Sequence, residues 1–352
     1  MNLGVFERQT GHEQVVYCHD AETGLKSIIG IYSTALGPAL GGTRFYPYTS
    51  EGDALDDVVR LSRAMAYKNA LAGLNLGGGK AVVIGDPTQD KTTPLLQAYG
   101  RAVSSLGGRY ITACDVGTDE RDMDVIADEC KHVVGCSPER GGSGDPSAAT
   151  AYGVYRGMLA CAEHLWGTPA LQGRRVGIAG VGKVGHRIAH TLAADGAEVV
   201  VTDVRQQPVE TLKRSLPQVE VIDDIDSLVK ADLDVYAPCA LGGTLNDRTI
   251  AQLQARIVCG AANNQLAHDG IDRELFDRDV IYAPDYVVNA GGVIHVADEI
   301  GGFNEARVHR RVASIYDTTL EILRASVAER RPPGQAANNL AKRRLSGVPG
   351  SR

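Results

Sequence analysis

The stretch Arg175-Val176-Gly177-Ile178-Ala179-Gly180-Val181-Gly182-Lys183-Val184-Gly185 decides the fold. An apolar run reads as a strand, a G-x-G-x-x-G loop follows, and an amphipathic helix continues to about Ala194. A second apolar run, Glu198 to Thr202, ends in Asp203, 23 residues after the first glycine. A bare glycine triplet is weak evidence. Set between two strands and opening a helix, it is the fingerprint of a dinucleotide-binding βαβ unit. Gly180 makes the tight turn, Gly182 leaves room for a pyrophosphate, and Gly185 lets helix and strand pack closely. The helix N-terminus offers free N–H groups to the phosphates, with Val181, Lys183 and Val184 completing the loop. Asp203 is placed to accept from the ribose hydroxyls and to repel a 2′-phosphate, which favours NAD; the nearby Arg205 tempers that preference.

Outward from this unit, strand–helix alternation continues through Glu220–Ile222, Val235–Ala237, Ile257–Ala261 and Ile281–Ala283. That predicts an open parallel sheet with helices on both faces. Upstream, Gln14–Cys18, Ser27–Tyr32, Ala81–Gly85 and Arg109–Thr112 read as strands, and 51–72, 94–106 and 122–130 as helices. The turn-rich stretch 136–148 is the expected crossing between domains. A helix from about 147 to 164 follows it, and one long helix is expected over 304–329. With 352 residues, two domains are the expectation. We place them at 1–146, joined by a C-terminal helical segment 318–352, and at 147–317.

Composition excludes several classes of function. Net charge is −7 and no basic face stands out, so nucleic acid is not an expected partner. No run approaches the roughly 18 apolar residues of a membrane span, and the N-terminus lacks a leader pattern. The seven cysteines form no C-x-x-C pair, which argues against disulfides and zinc. A cytoplasmic, reducing location fits. His186 and His190 lie four apart on a helix, but no third ligand is in view, so no metal is expected.

The first half holds Gly41-Gly42-Thr43-Arg44, Met65-Ala66-Tyr67-Lys68-Asn69-Ala70, Gly77-Gly78-Gly79-Lys80-Ala81 and Ala113-Cys114-Asp115-Val116-Gly117-Thr118. Lys68 lies among residues that should face a core, where an ammonium is costly unless paired or aimed into a cleft. Lys80 follows three glycines and opens an apolar strand. Asp115 follows another strand. These motifs are joined by Thr150-Ala151-Tyr152-Gly153-Val154, Ala237-Pro238-Cys239-Ala240, Gly260-Ala261-Ala262-Asn263-Asn264 and Pro284 to Gly292. Together they resemble the glutamate/leucine/phenylalanine/valine dehydrogenase family over about residues 10–330, most closely its valine and leucine branches.

The resemblance implies an α/β fold of two domains. An N-terminal substrate domain and a Rossmann-type doubly wound NAD domain would be separated by a catalytic cleft that closes during turnover. It implies oxidative deamination of an L-amino acid with NAD as acceptor. By motif, Lys68 would bind the α-carboxylate, Lys80 would be the general base and Asp115 would move protons at the amine. Asn289 and Gly41 would hold the substrate. Thr150, Asn263, Ala240 and Arg44 would lie at the cofactor. Where glutamate-specific relatives carry a lysine for the distal carboxylate, this chain has Leu40. With Ala113, Val293 and Val296 it implies an aliphatic pocket for valine, leucine or isoleucine. A phenylalanine-preferring enzyme and a non-catalytic NAD-binding protein are the alternatives. The implied partners are the amino acid and further copies of the chain, as a dimer or a larger ring.

Overall fold

The computed structural model describes residues 5–8 and 11–347. The first residues of the leader reading (1–4) and the end of the basic tail (348–352) lie outside the described residues. The chain divides into two compact units. Unit 1 comprises residues 1–145, 295–305 and 341–352; unit 2 comprises 146–294 and 306–340.

Unit 1 is built on a mixed five-stranded sheet. Its strands are β1 (Gln14–Asp20), β2 (Leu25–Ser33), β3 (Ala39–Tyr46), β4 (Gly77–Ile84) and β5 (Tyr110–Cys114), in the spatial order β1-β2-β4-β3-β5. β1 and β4 both run antiparallel to β2, whereas β3 is parallel to β4 and β5. The Asp20 carboxylate, accepting from the N–H groups of Glu22 and Thr23, makes the β1–β2 turn. β3 was not foreseen as a strand. Its Leu-Gly-Gly-Thr-Arg centre lacks the β-branched run by which strands are recognised. β4 begins four residues before the expected start, at Gly77.

Side chains alternate across a sheet, so register assigns faces. Leu40 is opposite Gly78 and Ile111, Gly42 opposite Ala113, and Arg44 opposite Val82. Leu40, Arg44, Lys80 and Ala113 therefore share one face. The other face carries the apolar core, in which Ile29, Phe45, Val83 and Tyr110 pack with the helices Thr93–Ser104 and Glu120–Ala127. The helix Glu51–Leu71 covers the first face, with Ala54, Leu55 and Val58 on Ile28 and Val82. Its approach is close enough that a Cβ at Gly78 would stand 2.0 Å from the Ala66 nitrogen. The glycines before Lys80 thus make room for protein backbone.

Unit 2 carries six parallel strands: β6 (Arg175–Ala179), β7 (Glu198–Thr202), β8 (Glu220–Val221), β9 (Val235–Pro238), β10 (Ile257–Val258) and β11 (Ile281–Tyr282). Their order is β11-β10-β9-β6-β7-β8, each consecutive pair joined by a helix. The chain moves outward from β6 through β7 to β8, then returns to β9 on the other side of β6. This is the doubly wound order, with its switch point between β6 and β9.

The expected helix 304–329 is two helices, Glu305–Ala313 and Ile315–Glu329. At the break the Ser314 hydroxyl donates to the Arg311 carbonyl at 2.7 Å, competing with the helical ladder. The segment assigned to the first domain from 318 joins unit 1 only from 341. The reason is packing. Ile315 meets Gly153 on the helix Ser147–Trp166, and the Tyr316 hydroxyl donates to Glu163. The final helix, Pro333–Leu345, returns to unit 1 at its end, where Arg344 donates to the carbonyls of Ala70 and Leu71, both at 3.2 Å. Segment 295–305 belongs to unit 1, its Glu299 accepting from the N–H groups of Gly135 and Ser143 at 2.7 and 2.8 Å. Among the described residues no helix is long and apolar enough to cross a membrane.

Candidate active site

In unit 2 the loops after β6, β9 and β10 gather at the C-terminal ends of the strands. Gly180 has φ +102°, a conformation that favours glycine. A Cβ there would lie 2.7 Å from Ala240 at the end of β9. A Cβ on Gly185 would stand 2.0 Å from the Gly180 carbonyl oxygen, so this glycine seats the helix Lys183–Ala194 against the turn. Gly182 is different: a Cβ there meets nothing within 4 Å, which leaves space beside the helix N-terminus for a phosphate. The Asp203 carboxylate accepts from the Val181 N–H at 2.9 Å and from the Arg205 N–H at 2.9 Å. It therefore pins the glycine loop, a task the sequence reading did not foresee. Each of its oxygens retains a second lone pair for a ribose hydroxyl. These features fit a dinucleotide.

The nicotinamide-end candidates also lie in unit 2. Asn289 is buried, and its amide donates to the Ala261 carbonyl at 3.1 Å and to the Asn263 side-chain oxygen at 2.8 Å. Thr150 sits beside Gly292, where a Cβ would approach its hydroxyl to 2.8 Å. Val293 is half-buried.

In unit 1, Lys80 is 4% exposed and pairs with the Asp115 carboxylate. Burial pulls the Lys80 ammonium down to about 7, assisted by the cations Arg44 and Lys68, while Asp57 opposes. Asp115 is fixed by its turn: its Oδ1 accepts from the Val116 N–H at 2.6 Å, and the Thr118 hydroxyl accepts from the Asp115 N–H at 2.9 Å. That same hydroxyl donates to the Thr43 carbonyl at 2.8 Å, which ties the turn to β3. Arg44, expected beside the cofactor, pairs with Asp57 at 2.9 Å and stands 3.5 Å from Asp115. Leu40 and Ala113 are buried at 1% and 8% exposure, whereas Val296 is half-buried.

The arrangement offers a lysine that loses its proton near neutral pH, a carboxylate in contact with it, and a second ammonium from Lys68 on the covering helix. That set can bind a carboxylate and move protons. Two family profiles match the chain: "Glu/Leu/Phe/Val dehydrogenase, dimerisation domain" over residues 12–132, and "Glutamate/Leucine/Phenylalanine/Valine dehydrogenase" over 201–346. The chain belongs to the glutamate/leucine/phenylalanine/valine dehydrogenase family. The NAD-binding domain of D-isomer-specific 2-hydroxyacid dehydrogenases matches residues 155–233 of this amino-acid dehydrogenase. It is 59% identical to valine dehydrogenase of Streptomyces albus over 96% of its own length and 93% of the relative's. It is 47% identical to leucine dehydrogenase of Bacillus subtilis, over 100% and 96% of the two chains. Among solved structures, L-tryptophan dehydrogenase from Nostoc punctiforme superposes with a TM-score of 0.88 at 41% identity, over 97% of each chain.

Other residues of this dehydrogenase had no role in the sequence reading. Asn69, buried on the covering helix, donates to the carbonyls of Leu40 at 3.2 Å and Gly77 at 2.6 Å. It clamps β3 to β4 beside Lys68, and an amide in an otherwise apolar row was the signal available. Asp57 and Arg60 lie on the same helix and Tyr48 just ahead of it, and none stands in a recognisable motif. Desolvation and Asp119 push the Cys114 thiol up to about 12. His190 is engaged with Ser215 at 3.0 Å, and no group of three metal-ligating side chains occurs among the described residues.

Proposed function

We propose that the enzyme catalyses the reversible, NAD-dependent oxidative deamination of a branched-chain aliphatic L-amino acid, with valine preferred and leucine and isoleucine also accepted. The products are the 2-oxo acid, ammonia and NADH. The observation that carries this reading is the buried Lys80–Asp115 pair on the same sheet face as Leu40 and Ala113. NAD, held by the Gly180–Gly185 loop and Asp203, would supply the acceptor for the hydride of Cα. Lys68 holds the α-carboxylate, and Asn289 helps to orient the substrate. Asp115 takes a proton at the amine as the C–N bond becomes an imine. Lys80, neutral near pH 7, takes the proton of the water that adds to the imine carbon. Asp115 returns its proton to nitrogen, the C–N bond breaks to release ammonia, and the ionised Asp115 takes the hydroxyl proton as the carbonyl forms.

Specificity follows from what the pocket lacks. Leu40 and Ala113 offer no cation to a distal carboxylate, and stranding one in an apolar site costs several kcal/mol. Among aliphatic side chains one methylene is worth only about 1–3 kcal/mol. The preference for valine over leucine is therefore a matter of degree, and the 59% identity to the Streptomyces albus enzyme supports valine. The matching of residues 12–132 to a dimerisation domain supports a homo-oligomer. The test is the rate of NADH formation with valine, leucine, isoleucine, phenylalanine and glutamate, NAD and NADP compared. Aliphatic substrates should lead and NAD should be preferred. A kcat/KM for glutamate or phenylalanine equal to that for valine removes the pocket assignment.

A further inference from the structure

The Lys80–Asp115 pair is embedded in a chain of charges that the catalytic reading leaves unused. Arg44 leaves β3 on the same face as Lys80 and lies between two carboxylates. Its Nη1 is 2.9 Å from Asp57 Oδ2, and its Nε is 3.5 Å from Asp115 Oδ1. Asp57 is itself held. Its Oδ2 also accepts from the Tyr48 hydroxyl at 2.7 Å, and its Oδ1 accepts from Arg60 at 2.7 Å. Only 14% of its side chain is exposed. Three donors thus converge on one half-buried carboxylate whose visible task is to fix Arg44.

We propose that Arg44, anchored by Asp57, is a positioning residue for deamination: it orients Asp115, competes with Lys80 for the carboxylate, and so lets Lys80 give up its proton at the working pH. This rests on the assignment of Lys80 as general base. The groups facing Lys80 are Arg44 from β3, Asp57, Arg60 and Lys68 from the helix Glu51–Leu71, and Asp115 from the end of β5. Three are cations and two are anions. Guanidinium stays charged at any working pH, so Arg44 is a fixed charge in this set. After burial, Arg44 is the largest influence drawing the Lys80 proton off. Losing it removes a like charge from Lys80 and also frees Asp115 to pair with Lys80 alone. Both effects favour the protonated lysine.

The experiment is the pH profile of kcat/KM for valine deamination in Arg44→Met, Arg44→Lys and Asp57→Asn, with NADH binding followed by fluorescence. Arg44→Met should move the acid limb up by about one pH unit and leave NADH affinity unchanged. Arg44→Lys, which restores the charge, should bring the limb most of the way back. Asp57→Asn removes an anion near Lys80, so its limb should move to lower pH. A stationary limb in Arg44→Met with weakened NADH binding would return Arg44 to the cofactor and overturn the proposal. So would a kcat lowered at every pH with an unmoved limb. Lys80→Ala separates the two layers of inference. An inactive Lys80→Ala beside an immobile limb in Arg44→Met defeats the Arg44 proposal alone. A Lys80→Ala enzyme with normal turnover defeats the general-base assignment as well.

Discussion

The two units build their sites from different materials. In unit 2 the dinucleotide site is mostly backbone: a glycine at φ +102°, a helix N-terminus, and a space where Gly182 has no Cβ. Its one essential side chain, Asp203, holds that backbone through the Val181 N–H. In unit 1 the site is side chains, delivered by β3, β4, the turn after β5 and the helix that covers them. Glycines occur in both but serve opposite ends. Gly182 keeps protein away from a space, whereas Gly78 lets the Ala66 backbone in. A site of backbone should therefore fail when atoms are added, and a site of side chains when atoms are removed.

The largest effect expected from this contrast is at Lys80. Lys80→Ala deletes the proposed general base, and loss of such a base is typically worth about 10²–10⁴-fold. Valine-dependent NADH formation should fall by that order while NADH titrates as in the native enzyme. If affinity for NADH collapsed together with turnover, the two sites would not be separable in the way the contrast requires. The addition experiment comes next. In Gly185→Val the new Cβ would begin 2.0 Å from the Gly180 carbonyl oxygen, so helix and turn must part. Overpacking of that kind costs about 1–3 kcal/mol, which is roughly five- to 150-fold in NADH affinity. Unchanged binding would show that the loop yields freely and that backbone crowding does not shape the site.

The same contrast explains what the sequence disclosed. Unit 2 was legible because its site is local. Gly180, Gly182, Gly185 and Asp203 lie within one βαβ unit, and their spacing encodes their contacts. In unit 1, Lys68, Lys80 and Asp115 stood out by their surroundings and drew their roles from family likeness, but their mutual geometry needs the register of β3, β4 and β5. That β3 is a strand at all was hidden by Gly41 and Gly42, which carry no side chain to signal a period. The pairing of Arg44 was hidden for a related reason. Its partner Asp57 lies on a helix whose other acids, Glu51, Asp53 and Asp56, face solvent, and nothing in the pattern marks one of the four. The helix 304–329 was read as continuous because Ser314 interrupts its hydrogen bonding without breaking the apolar period.

A smaller effect sharpens the role of Asp203. Asp203→Asn keeps an acceptor for Val181 but removes the charge that repels a 2′-phosphate. The ratio of kcat/KM for NAD over NADP should narrow by about 10- to 150-fold, since one charged hydrogen bond is worth about 1.5–3 kcal/mol. An unaltered ratio would mean that Asp203 serves the loop and does not choose the cofactor.

The smallest effect falls on stability. Lys80 loses its proton near 7 when folded, against an ordinary 10.5. Between those values the unfolded chain holds a proton that the native state lacks. Stability therefore rises with pH across this window, by at most about 1.4 kcal/mol per unit from this group. Below 7 both states carry the proton, and the cost of burying the ammonium is complete. Lys80→Met fills the same volume without a charge and leaves Asp115 with the Val116 N–H and Arg44. Its unfolding free energy should exceed the native value most below pH 7, and the gap should shrink as the pH rises from 7 toward about 10. Denaturant titrations at several pH values measure that gap directly, and parallel curves would mean that burial of Lys80 costs the fold nothing. A shrinking gap would show that the poise of the general base is maintained at the expense of the fold. Unit 2 differs in that the buried charge of its site, the Asp203 carboxylate with 7% of its side chain exposed, is met by the N–H groups of Val181 and Arg205.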